Sequence, residues 1–277
     1  MNFNFQETAK DHVIIVAHRG VSGGNIPCNT MTAYETALRQ GADMIEVDLS
    51  KTADGVLVVF HPGAEIAHFG VNCNVAAMTY EEVKRLRYLN YDRAPTQFGV
   101  VLFEDLLEQF CGRCYINVDK FWGHPADIYR EIKRHGMIDQ IVVKSAPSEK
   151  VYRVLEDLAP ELPYIPIVKN EFTIHEELMN RNINYVGAEM VFFSEDAQAI
   201  RPEVMDKMHR DGKLVWGNAI IYDHRVQLAA GHSDDVSLSE NPDKGWGWLA
   251  DKGFDFIQTD WAQMCIEYLK KTGKYYR

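Results

Sequence analysis

The sequence predicts an α/β protein, a closed (β/α)8 barrel carrying a small insertion after its second strand. Three observations lead there. Short β-branched runs alternate with helical patterns along the chain, eight such runs can be counted, and no Pro-, Gly- or Ser-rich linker divides the 277 residues. Residues 1–277 therefore read as one barrel domain.

The strand runs are 13–17, 43–49, 115–119, 140–144, 163–167, 184–189, 213–218 and 255–258. Helix punctuation falls between them. Thr32 with Glu35 and Thr79 with Glu82 have capping-box spacing, Pro125 suits a first helical turn, and Gly41 and Gly136 suit helix ends. The run 56–60 reads as an extra strand beside the second one. The stretch 62–101, with a helix near 79–89, is too long for a simple βα connection and predicts a small subdomain on the barrel rim. A second long connection, 219–245, holds His224, His232, Asp234 and Asp235; the run from His232 to Asp235 reads as a solvated acidic loop.

Hydrophobic content of 46 % and charged content of 25 % suit an ordinary globular core. A formal charge of −11 argues against nucleic acid and anionic membranes as partners, since both call for a basic surface. A phosphate ester would have to be attracted locally, by a cation and a few Arg or Lys groups. Five scattered cysteines do not form a secreted disulfide framework, and Cys111-Gly-Arg-Cys114 lacks the second ligand pair of a zinc site. The start Met1-Asn-Phe-Asn-Phe-Gln-Glu-Thr-Ala-Lys10 has no leader pattern and no long apolar run follows, so a cytoplasmic protein without membrane insertion is expected; oligomeric state is left open.

The residues that can carry chemistry stand at strand ends. Val16-Ala17-His18-Arg19-Gly20 closes the first strand with an imidazole, a phosphate-binding guanidinium and a residue able to turn sharply. Glu46 and Asp48, two apart on the second strand, point to one side of the sheet, which in a barrel is the lumen. Paired lumen carboxylates call for a hard cation or for basic partners. His61 returns a second imidazole to the same rim, and Asp119 at the third strand's end offers a third carboxylate. Two imidazoles supply an acceptor for the nucleophile's proton and a donor for the leaving alkoxide. Three carboxylates, with water and phosphate oxygens, would complete the shell of Mg²⁺ or Ca²⁺.

Together these landmarks resemble the glycerophosphodiester phosphodiesterase family, within the wider group of phosphatidylinositol-phospholipase-C-like barrels. The resemblance runs through His18-Arg19-Gly20, Pro27-Cys28-Asn29-Thr30, Gly41 to Asp48, Thr52-Ala-Asp54-Gly55 and His61. It continues at Phe103 to Leu106, Ile116 to Asp119, Val215 to Asn218 and Gly253 to Asp260. It implies metal-dependent hydrolysis of glycerophosphodiesters to glycerol 3-phosphate and an alcohol. His18 and His61 would be the acid/base pair, Arg19 the phosphate ligand, and Glu46, Asp48 and Asp119 the ligands of Mg²⁺ or Ca²⁺. Trp216, Asn218 and Glu189, at later strand ends, are candidates for the substrate pocket.

Three positions depart from the family pattern: Pro-Glu-Asn-Thr is Pro27-Cys28-Asn29-Thr30, His-Asp is His61-Pro62, and Glu-x-Lys is Asp119-Lys120-Phe121. Strand alternation puts Lys120 on the face opposite Asp119, so Lys144 at the fourth strand's end is expected to replace the family lysine on the phosphate, with Lys169 as second choice. Two other functions stand beside the leading one: phospholipase-like cleavage of a lipid headgroup, and a noncatalytic phosphodiester-binding barrel. No exposed apolar or basic interfacial element can be picked out for the former, and retention of both histidines opposes the latter.

Overall fold

The computed structural model describes residues 3–277. The expectation of no leader begins on Met1 and Asn2, which lie outside them. Eight parallel strands form the barrel: β1 (Ile14–Ala17), β2 (Met44–Lys51), β3 (Tyr115–Asp119), β4 (Ile141–Ser145), β5 (Tyr164–Lys169), β6 (Gly187–Val191), β7 (Leu214–Asn218) and β8 (Phe256–Thr259). β1 pairs with both β8 and β2, which closes the ring.

Side-chain parity sorts the strand residues into two layers. Ile15, Ala17, Ile45 and Val47 face the surrounding helices. Ile14, Val16, Met44, Val142 and Trp216 fill the lumen. Glu46 and Asp48 share Met44's parity, and in register Asp48 stands opposite Asp119. A helix at Phe5–Asp11, which the sequence did not announce, closes the lumen's amino end by stacking Phe5 on Tyr115 at 4.4 Å between ring centres.

Ionisable contacts help to hold that end. His12 places Nε2 2.9 Å from Asp43 and Nδ1 2.9 Å from Asp11, and it stacks on Tyr275. The hydrogen bond to Asp43 raises the imidazole's pKa, and partial burial does not cancel it. A raised folded value means that this stabilisation is complete below the ordinary ~6.5 and is lost as pH climbs through the folded value. The Tm gap between the protein and His12→Gln is thus expected to be wider at pH 6 than at pH 9. A pH-independent gap contradicts this.

Several expectations change in detail. The cap of the helix Met31–Arg39 is Thr30, whose hydroxyl accepts Ala33 N–H. Thr32 does not cap it, and Glu35 instead pairs with Arg113 at 2.6 Å. The helix begins early because Asn29, in a left-handed turn (φ 55°), is tied back to the Arg19 carbonyl. The Thr79–Glu82 capping box is present, but its helix covers only Tyr80–Val83, because Tyr88 turns inward and exchanges backbone hydrogen bonds with Thr96 and Phe98. The extra strand, Leu57–Val59, runs antiparallel to β2. Residues of the 62–101 insertion pack with it around a small core of Phe60, Phe69, Val83 and Tyr88. Cys111 is exposed and Cys114 buried, both free thiols. No helix among the described residues is long and apolar enough to cross a membrane.

Candidate active site

The turn after β1 places the first two groups. Arg19 (φ 56°) and Gly20 (φ 77°) are left-handed, and a Cβ on Gly20 would stand 2.7 Å from the Ala33 backbone, so only glycine fits. His18 Nδ1–H consequently donates to Asp260 at 2.9 Å, leaving Nε2 free of that contact. Arg19 donates its backbone N–H to Glu46 at 2.9 Å and brings Nε to 2.9 Å from Asp48.

Glu46, Asp48 and Asp119 converge as parity and register dictate, with one oxygen of each within 4.8 Å of the others. Asp48 is wholly buried. Its Oδ2 accepts from Asn29 Nδ2 at 2.9 Å, and Asn29 is itself held by the Tyr34 hydroxyl at 2.7 Å. Its Oδ1 has no hydrogen-bond partner among the described residues. Burial, with the charge of Asp48 beside it, pushes Glu46 up to about 7. A buried carboxylate oxygen without a donor, in a cluster that resists full ionisation, fits the donor set of a hard divalent cation.

His61 comes from the strand paired to β2, where Phe60 N–H donates to the Asp48 carbonyl, and its Nε2 stands 4.0 Å from Asp48 Oδ1. The two imidazoles are shifted in opposite directions. Burial, with Arg19 and Lys120 nearby, lowers His61. For His18, burial is outweighed by the Asp260 hydrogen bond and the Glu46 charge, so its pKa is raised.

The lysines require a correction. Lys120 does not face away from the site: its backbone is left-handed (φ 61°), which cancels strand alternation and brings Nζ to 2.5 Å from Asp119 and 3.7 Å from Asp48. Lys144 does enter the lumen, but its ammonium is committed to Glu189 at 2.7 Å, with Gln258 at 3.2 Å and the Trp216 ring 3.9 Å below. Burial alone would raise Asp119; Lys120, with Lys144 further off, holds it below the usual range. Lys169 is exposed and does not line the cleft.

Asn218 donates to Glu189 at 2.7 Å, and both line a polar lumen cleft of about 310 Å³ with His18, Arg19, His61 and Lys120. Trp216 is not part of the cleft wall. It is fully buried beneath it, its indole N–H directed at Asn218 and Gln258, because β7 parity assigns it to the lumen core. Gln258 and Tyr222 line the cleft and were not singled out from sequence; parity from Phe256 on β8 was the available signal for Gln258.

The 232–235 segment is not a solvated acidic loop. Asp234 is buried and accepts from Trp246 Nε1 and Thr259 Oγ1 at 2.6 Å each and from Asp260 N–H at 2.8 Å, fixing the turn that presents Asp260 to His18. Burial pushes its carboxyl up to about 6. His232 lies flat on Trp248 with ring centres 3.7 Å apart. His224 is exposed on the outer hairpin.

Fold and site together define a parallel (β/α)8 barrel with a carboxylate cluster, two imidazoles and two cationic side chains, Arg19 and Lys120, gathered at the strands' carboxyl ends, where barrel chemistry is built. The chain belongs to the glycerophosphoryl diester phosphodiesterase family, whose model matches residues 18–231. It is 27 % identical to a glycerophosphodiester phosphodiesterase of Bacillus subtilis over 57 % of this chain and 60 % of that protein. The curated relatives it matches first are covered over only 57–60 % of their length. Among solved structures, a glycerophosphoryl diester phosphodiesterase from Parabacteroides distasonis superposes with TM-score 0.76 at 18 % identity, covering 99 % of this chain and 96 % of that one. An Oleispira antarctica phosphodiesterase solved with its product sn-glycerol-3-phosphate superposes at 0.69 and 18 % identity over 92 % of this chain and 96 % of that one. At these identities the two structures establish the shared fold.

Proposed function

We propose that this chain hydrolyses glycerophosphodiesters to glycerol 3-phosphate and an alcohol. The observation that carries the reading is the placement of the imidazoles around the carboxylate cluster. His18 borders both the lumen cleft and a second, outer groove, whereas His61 borders the cleft alone. A phosphate held by Arg19 and Lys120 would thus present its glycerol to the cleft and its other alcohol past His18. His61 takes the proton from the attacking hydroxyl, and His18, oriented by Asp260, delivers one to the departing alkoxide. Their opposite pKa directions agree with that division. Glu46, Asp48 and Asp119 would hold the divalent cation, Mg²⁺ or Ca²⁺, which when bound offsets negative charge on the phosphate oxygens. Glu189 and Asn218 are placed to meet the glycerol hydroxyls. The product bound to the Oleispira protein supports the same outcome here. Incubation with sn-glycero-3-phosphoethanolamine and a divalent salt should release glycerol 3-phosphate, read by a coupled dehydrogenase; no release from any glycerophosphodiester offered would overturn the reading.

The two lysines should separate experimentally. Lys120→Met removes a charged phosphate contact of about 1.5–3 kcal/mol and should lower kcat/KM by roughly 10–150-fold, with a smaller loss of stability than Lys144→Met because Lys120 is partly exposed. Lys144→Met leaves the buried Glu189 with Asn218 but without its cationic partner and should cost about 3–5 kcal/mol of stability. Urea denaturation beside steady-state kinetics decides the matter: a stable Lys144→Met enzyme with depressed kcat/KM would return the phosphate contact to Lys144.

A further inference from the structure

Outside the lumen cleft, on the far side of His18 and Arg19, lies a groove of about 920 Å³, three times the cleft's 310 Å³. We propose that this groove binds the leaving alcohol and selects a bulky apolar one, so that the substrates are glycerophosphodiesters of a long-chain or aromatic alcohol. The inference rests on the function proposed above and adds the identity of the second ester.

Connectivity gives the groove its role. His18 and Arg19 line both spaces, so a phosphate on Arg19 has one ester oxygen on each side, and the side facing the groove is where His18 protonates the alkoxide. In that step the phosphorus–oxygen bond to the alcohol breaks and the alcohol leaves carrying the proton from His18, while the attacking hydroxyl's proton goes to His61; over the whole hydrolysis an oxygen from water ends on phosphorus.

Composition gives the groove its preference. The cleft walls carry Glu46, Asp119, Lys120, Lys144 and Glu189, a match for glycerol hydroxyls; the groove walls carry Val21, Ile26, Pro27, Leu89, Trp261 and Met264. Trp261 and Met264 are about half exposed (49 % and 48 %), and Tyr91 beside them is 90 % exposed, an apolar rim that the sequence had not revealed. Charges along the groove are few. Its one carboxylate, Asp260, accepts from His18 through Oδ1 and is otherwise half exposed, and the Arg93 guanidinium donates to the Ala67 and Ile66 carbonyls. Burial keeps the Cys28 thiol protonated, pushed up to about 11. Asp260 is thus the groove's only carboxylate within reach of an ammonium such as that of choline or ethanolamine, against a wall that is otherwise mostly apolar. The wall is also built rather than incidental: Asn25 bonds to both Asn90 and Gln97, tying the 22–28 loop to the rim insertion.

The test is a series of sn-glycerol 3-phosphate esters of ethanol, choline and 1-octanol, with products identified by phosphorus NMR. Each methylene moved out of water contributes up to about fourfold. Partial burial of the octyl chain should therefore raise kcat/KM at least about tenfold over the ethyl and choline esters, with glycerol 3-phosphate and octanol as products. Met264→Glu and Trp261→Ala should each cut the octyl-to-ethyl ratio about fivefold or more; the ratio is insensitive to loss of active protein, so partial misfolding does not imitate the effect. Equal rates on all three esters, preference for choline, an unchanged ratio in both variants, or octyl phosphate and glycerol as products each overturn the proposal. Turnover of none of the esters overturns the proposed function itself, and the groove's assignment falls with it.

Discussion

His61→Ala is expected to lower kcat on alkyl glycerophosphodiesters by about 10²–10⁴-fold, the usual scale for removal of a general acid or base, and His18→Ala to do the same for a different reason. His61 is confined to the lumen side, 4.0 Å from Asp48, where the nucleophile must lose its proton. His18 stands at the divide between cleft and groove with Nδ1 anchored on Asp260, the position proposed to serve the leaving alcohol. A nitrophenyl ester supplies a leaving group that departs without a proton. It should restore much of the rate to His18→Ala and none to His61→Ala. Equal deficits for both variants on both substrates would remove this division of labour.

Exhaustive chelation is expected to abolish measurable turnover, and added Mg²⁺ or Ca²⁺ to restore it. Three carboxylates with an oxygen of each inside 4.8 Å, one of them a buried oxygen without a donor, repel one another in a way that a divalent cation relieves. Binding has a readout independent of catalysis. A cation at a hundred times its Kd stabilises the folded state by about 2.7 kcal/mol, so Tm should rise on titration. Asp48→Asn should lose that rise and about 10²–10³-fold or more of kcat, since metal assistance is worth several kcal/mol. A Tm unaffected by either cation, together with turnover that survives chelation, would remove the metal from the site.

How much of this was legible depended on whether the relevant physics is local. Strand and helix periods are local, and so the eight barrel strands emerged within a few residues of their observed ends. The lumen orientation of Glu46 and Asp48 followed from period two alone, and His18, Arg19, His61 and Asp119 followed from standing at strand ends. Lys120 shows where that logic stops. One left-handed residue past β3 reverses the direction that alternation assigns, and nothing in Asp119-Lys120-Phe121 announces it. Trp216 shows a second limit: parity directs it correctly to the lumen, yet its depth, floor rather than wall, depends on where seven other strands begin.

The sequence by itself determined the architecture, the convergence of three carboxylates and two imidazoles, and the resemblance that names the chemistry, because each follows from the order and spacing of residues along single strands. Tertiary structure alone decided which groups complete the site. Asp234 and Asp260 act through contacts with residues up to 242 positions away. The approach of Lys120 to Asp119 and Asp48, the pairing of Lys144 with Glu189, and the apolar groove between the rim insertion and the last helix likewise exist only once distant segments meet. Burial and the field of neighbouring charges then set the ionisation of Glu46, His18, His61 and Asp234, and both depend on the closed barrel rather than on any stretch of chain.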